Sequence, residues 1–113
     1  MRGAIYARTA CVPQGPNLAL GVQLEALRAA ASRREISIVA EFTDEGLSGL
    51  RRDRPGLDRM RDLAERQGFE VLLTCASERL ARDSGLQITI LEELERFRVK
   101  AIFLEGERSP VRS

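Results

Sequence analysis

Arginines dominate the groups in this chain that could carry chemistry. The 113 residues include 17 arginines, a single lysine and no histidine. Without histidine the chain can form no Ser-His-Asp triad, no Cys-His dyad and no Cys2His2 zinc site. Catalysis would have to use carboxylates, hydroxyls, a thiol or arginines. An arginine-rich composition also fits a GC-rich genome. Only the placement of the arginines can therefore distinguish a functional site from a bias in genome composition.

Three polar segments, 8–17, 43–54 and 75–83, collect arginines together with other reactive groups. Guanidinium is always charged and offers a planar fork of donors to phosphate oxygens. If the segments converge, they predict an anion site, with phosphate as the ligand. The alternative is that Arg79 and Arg82 form ordinary ion pairs with Glu78 and Asp83. The residues concerned are Arg8, Asp44, Ser48, Arg51, Arg52, Arg54, Glu78, Arg79 and Arg82.

No other phosphate or metal motif accompanies these segments. The sequence has no Gly-x-x-x-x-Gly-Lys stretch, so it is not a P-loop protein. The sequence shows no acidic cluster that would indicate a magnesium site. We expect no cofactor. Arginines without a metal can stabilise a phosphoryl-transfer transition state by themselves.

The hydrophobic pattern predicts the elements that would position these segments. Apolar residues alternate over 36–42 and form short runs at 4–7, 71–73 and 101–104, which predicts four strands. Helical spacing predicts helices over about 18–34, from Pro55 to a cap at Gly68, and over about 84–97. Five arginines fall on these helices, where we expect solvated faces: Arg59, Arg61, Arg66, Arg96 and Arg98.

The order β-α-β-α-β-α-β predicts a three-layer α/β/α domain with a mainly parallel sheet of four to five strands. Ligands of such sheets bind outside the carboxyl ends of the strands. The three polar segments follow strand ends and therefore meet at this edge. On the third helix, Ile88 and Leu91 extend the apolar face, either as part of an interface or simply packed on the sheet.

Composition places the chain among globular proteins. The residues are 43% hydrophobic and 31% charged, with a net charge of +1, which does not by itself indicate a nucleic-acid binder. No apolar run approaches the roughly 20 residues needed to span a bilayer. Arg8 interrupts any signal-peptide core, and Cys11 and Cys75 fit a reducing compartment. We expect a single cytoplasmic domain over residues 1–113 with no membrane partner.

Five short blocks resemble the serine recombinases (resolvases, invertases and phage-type integrases), in the order of that family. The resemblance covers about residues 3–105. The blocks are Tyr6-Ala7-Arg8-Thr9-Ala10, Leu20-Gly21-Val22-Gln23, Asp44-Glu45-Gly46-Leu47-Ser48-Gly49, Arg54-Pro55-Gly56-Leu57 and Ser77-Glu78-Arg79-Leu80-Ala81-Arg82-Asp83.

The resemblance implies a resolvase-like domain for site-specific DNA recombination. In the family a serine attacks a DNA phosphodiester, forms a 5′-phosphoserine bond and frees a 3′-hydroxyl, and the reaction later reverses without a metal or nucleotide. The matching arginines Arg8, Arg79 and Arg82 would clamp the scissile phosphate. The supporting residues would be Gln23, Asp44, Ser48 and Arg54.

The family's serine falls on Ala10, which has no hydroxyl. Strand alternation predicts Arg8 and Ala10 on one face and Thr9 on the other. Cys11 is the other candidate nucleophile, since arginines can lower a thiol pKa, although an ordinary loop thiol is the simpler interpretation. Glu78 stands where the family has Asp, which adds one methylene. Both changes predict phosphate binding without cleavage.

The family continues into a long helix and a DNA-binding domain, whereas this sequence stops at Ser113. We therefore expect no DNA-binding domain and only weak, salt-dependent contact with the DNA backbone. We expect a homodimer or higher oligomer. The alternative to a recombinase domain without its nucleophile is a non-catalytic interaction or regulatory module that pairs with itself or with an active recombinase.

Overall fold

The computed structural model describes residues 1–10, 20–47, 55–76 and 84–104. Its elements alternate along the chain, which confirms the predicted order. The strands are β1 (Arg2–Ala10), β2 (Ser37–Leu47), β3 (Val71–Thr74) and β4 (Lys100–Phe103), and the helices are α1 (Leu20–Arg33), α2 (Pro55–Glu65) and α3 (Ser84–Arg96). No helix among the described residues is long and apolar enough to cross a membrane.

The four strands form one sheet in the order β2-β1-β3-β4, and every neighbouring pair is parallel. Parallel pairing follows from the helical crossover between each two successive strands. The predicted mainly parallel sheet is therefore confirmed. Since all strands run the same way, their carboxyl ends lie along a single edge.

Two hydrophobic cores occupy opposite faces of this sheet. On one face α1 packs through Leu27 and Ala31 against Ile5 and Leu73. On the other face α2 and α3 pack their buried residues against Tyr6 and Leu72 of the same two strands. The result is the predicted three-layer arrangement, in which β1 and β3 are covered on both faces.

The strands β1 and β2 extend further than the sequence pattern predicts. The pattern indicates a strand over 4–7 and a polar segment after the second strand over 43–54, and the second expectation is wrong for 43–47. The register instead continues through Arg8↔Asp44 to Ala10↔Leu47. Backbone pairing does not require apolar side chains, so polar residues remain in the strand once their side chains find partners.

A register shift in β2 changes which side chains share a face. Gly3 pairs with Ile38 whereas Ala4 pairs with Ala40, so the extra residue is Val39. An extra residue reverses the alternation beyond it. Ile38 accordingly packs on the α1 side, while Ala40 packs on the α2 side. The alternation over 36–42 correctly predicts a strand but conceals this change of face.

The three helices that the structure describes end with the same hydrogen-bond pattern. A residue with positive φ follows each helix, and the next amide bonds to a carbonyl five residues earlier, for example Gly68 N to Leu63 O at 2.9 Å. This is the Schellman motif. The residues in the left-handed conformation are Glu35 (φ 59), Gln67 (φ 59) and Arg98 (φ 64).

The helix end at Gly68 differs from the sequence prediction. Gln67, not Gly68, takes the left-handed position that normally favours glycine. A side chain at Gly68 would meet Leu63 Cδ1 at 2.5 Å, so glycine is required there by close packing. The prediction of the helix end is correct, but the reason for the glycine is not.

An ion pair joins α2 to α3. Arg61 Nε and Nη2 donate to the two carboxylate oxygens of Glu93 at 2.8 and 2.6 Å. The side chains of Arg61 and Glu93 are 30% and 20% exposed. The expectation that Arg61 lies on a solvated face is therefore wrong, because a planar guanidinium matches a facing carboxylate.

Candidate functional site

The carboxyl-end edge of the sheet places two of the predicted site residues side by side. Arg8 on β1 pairs in register with Asp44 on β2. The Arg8 side chain is half-buried, whereas Asp44 is buried. The edge predicted from the order of the elements thus carries a guanidinium and a carboxylate on adjacent strands.

Gln23 on α1 fixes the backbone at Arg8. Its Nε2 donates to the Arg8 carbonyl at 2.9 Å, and its Oε1 accepts from the Arg8 amide at 3.3 Å. The pairing of β1 with β3 extends only to Ile5↔Leu73, so Gln23 bonds to backbone beyond that pairing. The Gln23 side chain is buried and touches the site through Arg8. The predicted role of Gln23 as a supporting residue of the site stays a prediction.

Asp44 joins β1 to the beginning of α2. Its Oδ2 accepts from the Tyr6 hydroxyl at 2.6 Å and from the Leu57 amide at 2.9 Å, and its Oδ1 accepts from the Gly56 amide at 2.8 Å. The carboxylate thus occupies the donors that a helix N-terminus would otherwise offer to an anion. Asp44 binds the beginning of α2, and its oxygens face donors of the protein itself.

Gly56 allows α2 to approach β2 closely. A Cβ at this position would overlap the Thr43 carbonyl oxygen and lie 3.0 Å from Asp44 Oδ1. The close approach brings the first amides of α2 within reach of the Asp44 carboxylate. Pro55 begins the helix as predicted, where its missing N–H costs nothing. These contacts fix the position of Pro55, where α2 begins.

The predicted site residues fall into two groups. Arg8, Gln23 and Asp44 lie together at the carboxyl-end edge. The backbone of Ala10 ends β1 beside Leu47 of β2. The others lie outside the described residues: Ser48, Arg54, Glu78, Arg79 and Arg82, together with Cys11 and with Arg51 and Arg52.

A register shift between Arg8 and Ala10 affects the prediction of which side chains at the end of β1 face the ligand. Arg8 pairs with Asp44 and Ala10 with Leu47, so β2 contributes one residue more than β1 over this interval. Simple alternation is disturbed at such irregularities. The facing of Thr9 and Ala10 expected from alternation therefore stays a prediction.

Two polar residues of the edge are missing from the sequence prediction. The sequence pattern includes Tyr6 only as part of a block, whereas in the structure its hydroxyl donates to Asp44. Thr74 ends the otherwise aliphatic strand β3 and is fully buried, and its hydroxyl has no hydrogen-bond partner. A single polar residue at the carboxyl end of an apolar run is the signal that could have identified Thr74.

Two further ion pairs serve the fold and not the edge. The hydrogen bond from Arg61 lowers the pKa of Glu93. The hydrogen bond from Arg28 on α1 lowers the pKa of Glu41 on β2 and raises the pKa of Arg28. Both pairs join neighbouring elements. Among residues that the structure describes, no group of three or more Cys, Asp or Glu side chains could hold a metal ion.

Comparison with protein families gives a match over nearly the whole chain. The family described as Resolvase, N terminal domain, matches residues 3–112. A protein of Bacillus subtilis (strain 168), described as a candidate DNA recombinase, is 30% identical over 105 residues. That match covers 92% of this chain and 20% of the relative, so the chain spans about one fifth of that relative's length.

Solved structures with the same fold come from recombinases and from an integrase. The C-terminal catalytic domain of ISC1926 TnpA, an IS607-like serine recombinase, is 28% identical with a TM-score of 0.80, covering 92% of this chain and 70% of that one. The N-terminal catalytic domain of TP901-1 integrase is 21% identical with a TM-score of 0.83, covering 99% and 85%. A resolvase family site-specific recombinase from Streptococcus pneumoniae is 24% identical with a TM-score of 0.80, covering 94% and 73%. The last two likenesses concern the fold alone.

Proposed function

Because this chain belongs to the resolvase N-terminal domain family, we propose that it is a serine-recombinase catalytic domain whose nucleophile position holds Ala10. Its substrate class is the DNA phosphodiester. With serine at this position, the hydroxyl oxygen would bond to phosphorus, and the 3′ oxygen of the broken bond would leave as a hydroxyl. With alanine, no oxygen is available for the attack, so the domain binds the phosphate without cleaving it.

The placement of Arg8 carries the proposal. Its backbone is bonded on both sides by Gln23, and the strand that carries it is central in the sheet. A guanidinium held on a rigid element can stabilise phosphate charge without reorganising. We assign Arg8 to the phosphate, and Gln23 and Asp44 to support of the strand and of α2.

The resemblance of the sequence blocks to the family suggests roles for the remaining residues of the site. Arg79 and Arg82 would contact the phosphate together with Arg8, and Glu78 would stand beside them. Ser48 and Arg54 would contact or support the DNA. Arg54 directly precedes Pro55 in the sequence, and the helix that begins at Pro55 is anchored through Asp44.

The test restores the missing oxygen. Ala10→Ser is introduced into the 113-residue chain and incubated at low salt with a nicked DNA duplex that traps covalent protein–DNA adducts. We expect an adduct on a denaturing gel for Ala10→Ser and none for the parent chain. The matched control is Ala10→Ser with Arg8→Gln, which retains the hydroxyl but loses the guanidinium and forms at least 100-fold less adduct, by analogy with the loss of one charge-stabilising donor.

Two other outcomes would change the conclusion. DNA binding that depends on Arg8, without any adduct for Ala10→Ser, favours the non-catalytic interaction module. The absence of both DNA binding and adduct would contradict a role on DNA. An adduct formed by the parent chain and lost on Cys11→Ser would instead favour the thiol.

The proposal extends to organisation and partners. One sheet with a core on each face supports a single domain over residues 1–113, and DNA as substrate favours a cytoplasmic location. We also propose a homodimer or higher oligomer. On α3, Leu91 packs on the core while Ile88 is 56% exposed, which leaves Ile88 available for a partner. Concentration-dependent association in the ultracentrifuge, weakened by Ile88→Glu, is the expected result.

A further inference from the structure

Thr74 carries a buried hydroxyl that the fold does not use. Its relative exposure is 0%, and Oγ1 has no hydrogen-bond partner. A buried hydroxyl without a partner is destabilising compared with an apolar group of the same shape. The other residues of β3 are Val71, Leu72 and Leu73. Valine at position 74 would have the same shape and continue this aliphatic run.

The sheet places Thr74 on the face that carries Arg8. Leu72 packs in the same core as Tyr6, and side chains two residues apart on a strand share a face. Thr74 therefore lies on that face of β3. Arg8 lies on that face of β1, because it follows Tyr6 by two residues and the pairing with β2 is regular from Ala4 to Arg8. Ile5 pairs with Leu73, so Thr74 and Arg8 both lie near the carboxyl ends of neighbouring strands.

The guanidinium of Arg8 carries more N–H donors than one phosphate contact uses. A bidentate contact with phosphate uses two of its five N–H donors. The Asp44 carboxylate already accepts from Tyr6, Gly56 and Leu57, and the Arg8 carbonyl accepts from Gln23. Among the described side chains on this face and edge, the Thr74 hydroxyl is an acceptor that the fold has left unused.

We propose that Thr74 is a positioning residue of the phosphate site, whose hydroxyl accepts a hydrogen bond from the Arg8 guanidinium when Arg8 binds a DNA phosphate. The inference rests on the proposed function, because it requires Arg8 to bind phosphate. Thr74 acts through Arg8 and does not touch the DNA. The hydroxyl that destabilises the free domain gains its partner in the bound state.

The test compares Thr74→Val with Thr74→Ser in the 113-residue chain. The probe is a fluorescein-labelled DNA duplex at low salt, with the dissociation constant read by anisotropy. Without DNA, Thr74→Val should raise the melting temperature by about 2–6 °C, since it removes a buried unpaired hydroxyl. With DNA, it should weaken binding about threefold to tenfold, the effect of one hydrogen bond. Thr74→Ser retains the hydroxyl and should bind like the parent.

A double-mutant cycle that combines Thr74→Val with Arg8→Ala distinguishes positioning of the guanidinium by Thr74 from a general effect on the fold. In the Arg8→Ala background, Thr74→Val should leave the affinity unchanged, because the guanidinium it would position is absent. Equal affinities for Thr74→Val and Thr74→Ser would overturn the inference, and so would the same weakening in both backgrounds. A lower melting temperature for Thr74→Val would also overturn it.

Failure of the proposed function has a different signature. If Arg8→Ala itself leaves DNA affinity unchanged, or if the parent chain shows no binding, phosphate binding by Arg8 is wrong and the inference falls with it. If Arg8→Ala weakens binding while the two Thr74 variants agree, only the role of Thr74 is wrong.

Discussion

At the scale of single residues, Asp44 connects the site to the fold. One buried carboxylate accepts from a tyrosine hydroxyl on β1 and from two backbone amides of α2. Hydrogen bonds to a charged acceptor are stronger than neutral ones, and the donors lose their partners together if the carboxylate is removed. Asp44 therefore contributes more to stability than an ordinary helix cap.

We expect Asp44→Ala to lower the free energy of unfolding by about 2–4 kcal/mol, because two amides and one hydroxyl are left without an acceptor. Tyr6→Phe removes a single donor and should cost about 1–2 kcal/mol. Urea unfolding followed by circular dichroism measures both. The exposed residue Glu25 offers the control Glu25→Ala, which should change stability by less than about 0.5 kcal/mol. A loss for Asp44→Ala no larger than that of Tyr6→Phe would show that the contacts with α2 contribute little.

At the scale of elements, the helix ends show local strain that single substitutions can relieve. Each helix is followed by a side chain in the left-handed region, where a Cβ crowds the backbone. Glycine avoids this contact, at the expense of greater freedom in the unfolded chain. The balance favours glycine wherever the conformation is fixed by hydrogen bonds, as it is after all three helices.

We expect Glu35→Gly, Gln67→Gly and Arg98→Gly each to raise the free energy of unfolding, by about 0.5–1 kcal/mol. Arg59→Gly is the matched control, since Arg59 is exposed inside α2 and glycine should cost about 1 kcal/mol there. Thermal unfolding of the four variants gives the comparison. Destabilisation by all four would mean that unfolded-chain entropy outweighs the backbone strain.

The ion pair between α2 and α3 should make stability depend on pH. Arg61 lowers the pKa of Glu93 in the folded chain, so the pair stabilises the fold above the unfolded pKa of about 4.3 and loses this contribution as pH falls through the folded value. We expect Glu93→Gln to cost about 1 kcal/mol at pH 7 and progressively less as the solution becomes acidic below about pH 4. Urea unfolding at several pH values measures the difference. Glu95→Gln, at an exposed position, serves as control, and a pH-independent cost for Glu93→Gln would contradict the expectation.

At the scale of the whole molecule, the sheet ties its two cores together. Each of β1 and β3 contributes side chains to both cores, so neither core can lose its packing without exposing the other face of the same strands. Such sharing favours a single cooperative unfolding transition.

We expect Leu27→Ala in α1 and Leu94→Ala in α3 each to cost about 2–4 kcal/mol, because both side chains are buried. In each variant, circular dichroism and the fluorescence of Tyr6, the single tyrosine, should report the same midpoint. Ile88→Ala changes an exposed side chain of α3 and should have little effect. Two separated transitions in either variant would show that the cores unfold independently.

The sequence pattern predicts the order of elements and the layers because apolar periodicity and parallel crossovers determine both. It could not predict the face change at Val39, since an extra residue in a strand leaves no mark on composition. At the site, Arg8, Gln23 and Asp44 could be placed at one edge by their blocks and strand ends. The links from Tyr6 to Asp44 and from Gln23 to the Arg8 backbone join distant segments, and only the fold brings those together.

The hydrogen bonds of Gln23 have a consequence for solubility. Among the described residues, the pairing of β1 with β3 ends at Ile5, whereas β1 itself continues to Ala10. Strand backbone without a strand partner can recruit a strand from another molecule. A glutamine side chain carries the same donor and acceptor as a peptide group, so Gln23 gives Arg8 the partners that a foreign strand would supply. The Arg8 backbone is thus closed to self-association by hydrogen bonds that leave the Arg8 side chain out.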